Sequence, residues 1–286
     1  MLIKRNIFLF FRDRASVFFS LLGVLIIIML YILFLGNMME DGLRGALGFD
    51  SDLIRPVMAS IILGGMVAVT SATSCLGALE IRVNDRGVSG RDFLTSPVSR
   101  GKLTRSYMLG SSFVGLVMSL AALVITVAYI ALNGGALPSV ADLGLLALTL
   151  ILCVLCANAM MFLITAFIKT PGAFAALSGV LGSMLGFIMG VFIPIGTMPG
   201  PVQWVIRLFP MSHAAAMFRQ ILADGPLQDL FAGAPPAYLA EFREIHGIVY
   251  TYGTYTSDFW FSAVVLAGST VVFYLLSVLV VRHQRG

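Results

Sequence analysis

Charge is what this sequence has least of. Of its 286 residues, 18 are Lys or Arg and 14 are Asp or Glu, 11% in all, whereas soluble domains carry about 25%. So few ionic groups cannot coat the surface of a water-soluble chain this long. The scarcity excludes an ordinary cytosolic domain and makes lipid the solvent for most residues, in line with 59% hydrophobic residues and a mean hydropathy of +0.97.

Nucleophilic and ligating groups are equally sparse. The three histidines, His213, His246 and His283, stand apart, and neither His-Glu-x-x-His nor Gly-x-Ser-x-Gly occurs. Cys75, Cys153 and Cys156 all fall inside apolar runs, so no exported disulfide is implied. Cys153-x-x-Cys156 lacks the second ligand pair that a zinc site needs, which leaves both cysteines as small core residues. Gly101-Lys102 resembles the end of a phosphate loop, but Ser96 stands where its first glycine belongs and Leu103 where Ser or Thr would hold magnesium. No ionisable residue interrupts the long apolar runs, which argues against intramembrane hydrolysis and against ion-coupled carriage. The sequence thus predicts no catalytic residue, no metal site and no cofactor in this chain. Any uphill work must come from a partner.

Uncharged runs, by contrast, are plentiful. Residues 15–35, 57–79, 107–132, 143–168, 173–193 and 259–281 contain no Asp, Glu, Lys or Arg, and each is long enough to cross a hydrocarbon core as a helix, which takes roughly 20 residues. Barrel strands would be about ten residues long and would alternate. The expected fold is therefore an all-α integral membrane protein of six transmembrane helices, with 1–286 forming one transmembrane domain. The first run is too long for the core of a signal peptide, roughly 7–15 residues, and lacks an obvious cleavage site, so it reads as a retained span.

Charge asymmetry orients the chain. With a cytoplasmic N-terminus, thirteen of the eighteen basic residues and four of the fourteen acids fall inside, so the net +4 divides into +9 inside and −5 outside. The positive-inside rule then predicts a multi-pass protein of the plasma membrane with both termini cytoplasmic. The basic residues serve topology and anionic lipid, and no nucleic-acid partner is implied. Residues 1–14 read as an interfacial helix, with Leu2, Ile3, Ile7, Phe8, Phe10 and Phe11 facing apolar surroundings while Lys4, Arg5, Arg12 and Arg14 reach phosphates. Two loops stand out, a charged cytoplasmic one at 80–106 and an external one at 194–258.

The first of these, Glu80-Ile-Arg-Val-Asn-Asp-Arg-Gly-Val-Ser-Gly-Arg-Asp-Phe-Leu-Thr-Ser-Pro-Val-Ser-Arg100, resembles the first intracellular loop of type 2 ATP-binding-cassette (ABC) exporter permeases. The basic segment Leu2–Arg14 and the stretch Met198-Pro199, Trp204 and Phe209-Pro210-Met211-Ser212-His213 extend the likeness in the same order. In that family a short coupling helix docks on an ATPase subunit, and the resemblance implies ATPase contacts at Asp85, Arg86, Val88, Arg91, Asp92, Phe93 and Leu94. Gly87 and Gly90 permit tight turns before such a helix and Pro97 ends it. The simpler alternative is a solvated loop that only fixes topology. The resemblance further implies two separate ATPase subunits holding ATP and Mg, a second permease, identical or homologous, and a dimer exporting a lipophilic or amphipathic substrate such as a drug, an antimicrobial peptide or a lipid-like molecule.

Inside the membrane, Ser178, Gly182, Gly186 and Gly190 follow a small-xxx-small spacing in the fifth run, which permits close helix approach. The family likeness suggests that this stripe packs the permease dimer; packing within one subunit is the alternative. Thr70, Ser71, Thr73 and Ser74 in the second run, with Asn158 in the fourth, are candidates to line a substrate path, although such hydroxyls often bond their own helix carbonyls. Residues 194–222 are too proline-broken to span and too apolar for water, so re-entrant helices after the fifth span are expected. In 223–258 Pro236 and Gly247 bracket a short helix, and Val249–Thr256 favours a hairpin or extended turn. An alternative from another class is a membrane immunity or sensor protein that binds a peptide through its outer segment without transport.

Overall fold

The computed structural model describes residues 2–47, 50–87 and 100–283. Six of its helices are long and apolar enough to cross a membrane: Arg14–Phe34, Ile54–Asp85, Gly101–Leu132, Val140–Ala166, Pro171–Ile188 and Phe259–Val281. The protein is an all-α integral membrane fold.

A short helix α1 (Leu2–Arg12) precedes the first span. The chain breaks at Asp13, whose carboxylate accepts from the backbone N–H groups of Ala15 and Ser16 and so caps α2 (Arg14–Leu30). One π turn, Tyr31–Leu35, joins α2 to α3 (Gly36–Leu47), with the Gly36 N–H bonded to the Tyr31 carbonyl five residues back. A Cβ at residue 36 would stand 2.6 Å from that carbonyl oxygen, which accounts for the glycine. Tyr31, fully buried, donates its hydroxyl to Glu40 and to the Arg55 carbonyl.

The axis of the bundle is α4 (Ile54–Gly87). Its apolar window is 89% buried, against 13%, 17% and 11% for the first, fifth and sixth spans, which present most of their surface outward. Around it stand α2, α5 (Arg100–Leu132), α6 (Val140–Ala166) and α7 (Pro171–Ile188). Small residues allow this crowding: a Cβ on Gly115 of α5 would collide with Cys75 of α4. Because protein covers both of its ends, α4 continues well past the uncharged run 57–79.

The fifth span ends earlier than its composition suggests. Gly190 takes a positive φ of 63°, Val191 N–H reaches back to the Gly186 carbonyl and Gly190 N–H to that of Phe187. These are the paired bonds of a Schellman motif. The chain therefore leaves the helix after Ile188 instead of continuing to residue 193. It then forms α8 (Gly200–Leu208), α9 (Pro210–Leu230), α10 (Pro236–Ile245), a hairpin of β1 (Thr251–Tyr252) and β2 (Tyr255–Thr256), and the last span α11 (Phe259–His283). Proline opens α10 and Gly247, at φ 63°, closes it, as the sequence predicted.

These elements cap the end of the bundle opposite the 88–99 connection. Helix α9 packs along α4, α6 and α11 and buries a complete guanidinium. Arg219 is 0% exposed, with Nε donating to the Ile61 carbonyl at 2.9 Å, Nη1 to that of Gly247 at 3.3 Å, and Nη2 to those of Met189 and Gly190 at 2.5 and 3.0 Å. Burial lowers its pKa to about 10, which leaves it protonated at neutral pH. Ile61 lies seven residues into α4, about 10 Å along its axis, so the cap reaches well into the bundle. Replacing Arg219 by Met would keep the stem and strand these carbonyls. The expected cost is roughly 3–5 kcal/mol in equilibrium unfolding in mixed micelles, with Arg219→Lys recovering only part because an ammonium cannot reach all four acceptors.

Candidate functional site

Opposite the cap, the base of α4 leads into residues 88–99. Here α1 lies across α4 and α5. Arg5 of α1 forms two hydrogen bonds with Asp85, Nη1 to Oδ2 and Nη2 to Oδ1, both 2.8 Å. Tyr107 of α5 donates its hydroxyl to Asp85 Oδ2 at 2.6 Å. Asp85 is 8% exposed, and its hydrogen bonds hold the Arg5 pKa above its ordinary value. A forked guanidinium–carboxylate pair completed by a phenol is geometrically demanding, so the triad fixes α1, α4 and α5 relative to one another.

Apolar packing extends this contact. Phe10, 3% exposed, inserts among Ala78, Val114 and Met118, and Asn6 sits over Gly110, where a Cβ would come within 3.1 Å. The other side of α1 exposes Phe8 at 72%, the face that suits lipid. One turn above Asp85, Arg82 is 4% exposed and lies over the Phe162 ring at 4.0 Å. It donates to the Phe162 carbonyl and the Thr165 hydroxyl near the end of α6, a basic side chain at a helix C-terminus. Three helices thus converge on two buried charged residues of α4 just before the 88–99 connection.

Of the residues expected to meet an ATPase, Asp85 is occupied by the protein's own α1 and α5. Arg86 lies in the last turn of α4, its side chain outside the described residues, as are Val88, Arg91, Asp92, Phe93 and Leu94 altogether. The hydroxyls of Thr70, Ser71 and Thr73 donate to the carbonyls of Met66, Val67 and Val69 in their own helix, while the Ser74 hydroxyl is buried without a hydrogen-bond partner among the described residues. Asn158 faces α5: it accepts from Ser111 at 2.6 Å and donates to the Met108 carbonyl and the Ser112 hydroxyl at 2.9 and 2.6 Å. These five groups lie in packed contacts among α4, α5 and α6, and no described cavity is lined by them.

The small-residue stripe divides. Gly186 holds the Phe192 ring against its backbone and Gly190 forms the turn described above, so both serve the fold of one chain. Gly182 has nothing within 4 Å of its would-be Cβ, and Ser178, one turn before it, is half-buried with a hydroxyl that is unpaired among the described residues.

The cap is stitched together by polar groups as well. The Arg207 carbonyl accepts from Nε2 of His213 at 3.0 Å and from the Tyr252 hydroxyl at 2.7 Å, while Arg207 itself donates to the Thr251 carbonyl and to Glu244. His246 donates from Nδ1 to the Phe242 carbonyl at 3.0 Å and stacks on that ring; burial lowers its pKa to about 4. On the outside of α8, Val202, Trp204, Val205 and Leu208 are exposed, an apolar face on a proline-bounded helix.

With this architecture in view, comparison with family models is decisive. The model of the ABC-2 type transporter family matches residues 1–223. The chain belongs to the ABC-2 type transporter family. A comparison with curated proteins finds no match. As an ABC-2 family member it is a multi-pass membrane protein and a membrane component of an ABC transporter, the kind of chain that partners with ABC ATPase subunits.

Sequence reading passed over Arg219 and the Arg5–Asp85–Tyr107 triad. A lone cation inside the apolar stretch Ala214–Leu222 was the available signal for the first; no local pattern pairs residue 5 with residue 85. In a double-mutant cycle of Arg5→Ala and Asp85→Ala, unfolding free energies should be non-additive by about 1–2 kcal/mol, more than an exposed pair supplies because Asp85 is buried. Tyr107→Phe should cost less than either.

Proposed function

We propose that this ABC-2 family chain is the permease of an ATP-driven exporter, working as one of two permeases, identical or homologous, with two separate ATPase subunits that bind ATP and Mg. The observation that carries the reading is the triad at the base of α4. A loop that receives force is useful only if the helix above it cannot slip, and Asp85 ties α4 to α1 and α5 immediately before residues 88–99. In this reading residues Arg86, Val88, Arg91, Asp92, Phe93 and Leu94 meet the ATPase, and Asp85 positions that segment from within.

Movement imposed there would pass up α4, the most buried helix, to the cap and alternate the access of a path between inner and outer faces. The termini are cytoplasmic in this scheme, at the plasma membrane, and the charge asymmetry of the loops supports that orientation. The absence of Asp, Glu, Lys and Arg from the six uncharged runs suits a lipophilic or amphipathic substrate better than a small ion. The outward-facing first and fifth spans, with nothing within 4 Å of a would-be Cβ on Gly182, supply surface for the second permease.

Replacing Phe93 and Leu94 together by Asp should abolish substrate-stimulated ATP hydrolysis and transport in proteoliposomes while membrane insertion and thermal stability stay as in the parent protein. Unchanged transport would refute the coupling role of this loop. Failure of an ATPase subunit to copurify in mild detergent would favour a non-transporting binder instead.

A further inference from the structure

The cap borders a half-open cavity of about 690 Å³ that none of the roles above uses. Helices α5, α6, α9, α10 and α11 form it together with the turn before α6 and the strand β2. Its apolar wall includes Ile130, Leu137, Leu145 and Phe259. Facing that wall are three carboxylates, Asp142, Asp224 and Asp258, and a single guanidinium, Arg243. Size and lining match those of pockets for small organic molecules, which run from about 300 to 1,000 Å³. The cavity is built within one chain, between the third, fourth and sixth spans, away from α2 and α7.

Charge decides what fits. Arg243 Nη2 lies 3.0 Å from Asp224 Oδ1 and neutralises that one carboxylate, while Arg243 Nε is buried without a hydrogen-bond partner among the described residues. Asp142 spends Oδ2 on the N–H and hydroxyl of Ser139, and Asp258 spends Oδ1 on the Phe261 N–H. Each therefore keeps one oxygen that no described residue engages. A smaller adjoining cavity shares Arg243, Val249 and Thr256 and adds Glu241, together with Glu244, which Arg207 neutralises, so no excess positive charge is added nearby. Asp142 and Asp258, which water reaches, would repel an anion and give a neutral body nothing to pair with. An ammonium on an apolar body would pair them while the Phe259 ring and the aliphatic wall take the remainder.

We infer that this cavity is a binding site for amphipathic organic cations, molecules with an aromatic or aliphatic body and a primary ammonium or guanidinium group. The inference goes beyond the permease reading, since binding there requires neither ATP nor a partner subunit. A loss of ATPase coupling would leave it standing, and its own failure would leave the coupling loop untouched.

The test is a fluorescence titration of the full chain in phosphatidylcholine nanodiscs with dansylcadaverine, which joins an environment-sensitive aromatic body to a primary ammonium. Empty nanodiscs give the background. Saturable, blue-shifted binding is expected, with dansylglycine, the same fluorophore bearing a carboxylate, at least about tenfold weaker. The double variant Asp142→Asn, Asp258→Asn keeps an acceptor for each helix cap, so its melting curve should stay close to that of the parent protein while its affinity for dansylcadaverine falls at least about tenfold. Leu145→Trp, which fills the cavity without altering charge, should weaken both probes. Absence of saturable binding, parental affinity in the double Asn variant, or a preference for dansylglycine would each overturn the assignment.

Discussion

A buried guanidinium with no carboxylate beside it among the described residues sets the terms for the capped half of this protein. Moving a full charge out of water is costly, and here the compensation comes from backbone dipoles alone. Arg219 draws on a carbonyl inside α4, the two carbonyls just past the end of α7 and the one that closes α10. Carbonyls at a helix C-terminus carry partial negative charge and lack partners of their own, so the end of α7 is a suitable counterpart. The arrangement works only if all three segments converge on α9 at once. That requirement explains why Gly65 and Gly190 surround the guanidinium: a Cβ at Gly65 would lie 2.5 Å from it.

The opposite end of α4 is held by different chemistry. Asp85 and Arg82 are buried charges with directional partners on α1, α5 and α6, and the length between carries hydroxyls bonded back onto their own helix. Polar groups satisfied internally leave the helix surface free for close apolar packing. Helix α4 therefore behaves as a strut with a polar fitting at each end. In the proposed cycle, the fitting near residues 88–99 receives the load and the one under the cap transmits it.

What the sequence made legible was whatever local composition controls. Six spans, a separate helix before the first of them, the proline-to-glycine helix Pro236–Ile245 and the small hairpin all follow from propensity and hydropathy over short windows. The end of α7 was harder to read because residues 189–193 are as apolar as the helix before them; the stop comes from Gly190 adopting a left-handed backbone, which hydropathy does not register. Gly186 and Gly190 fit a packing stripe by spacing alone, yet one holds Phe192 and the other makes a turn. The most informative contacts at the candidate site join residues some 80 positions apart, beyond the reach of any motif. The place of Asp85 just before residues 88–99 is visible in the sequence, whereas its partners Arg5 and Tyr107 are not.

The π turn at Tyr31–Leu35 bears on how this protein is to be compared with others. One extra residue is accommodated in a single turn, so the faces of the helix stay aligned in space while the 3.6-residue rhythm of the sequence slips by one position, about 100° of phase. A relative with an uninterrupted α-helix here would superpose on both halves only if a one-residue gap were opened within an otherwise continuous helix. Without that gap, every residue of α3 would be equated with its neighbour, and Glu40, whose carboxylate meets Tyr31 and lies 3.6 Å from both Arg44 and Arg55, would be matched to a position on another face.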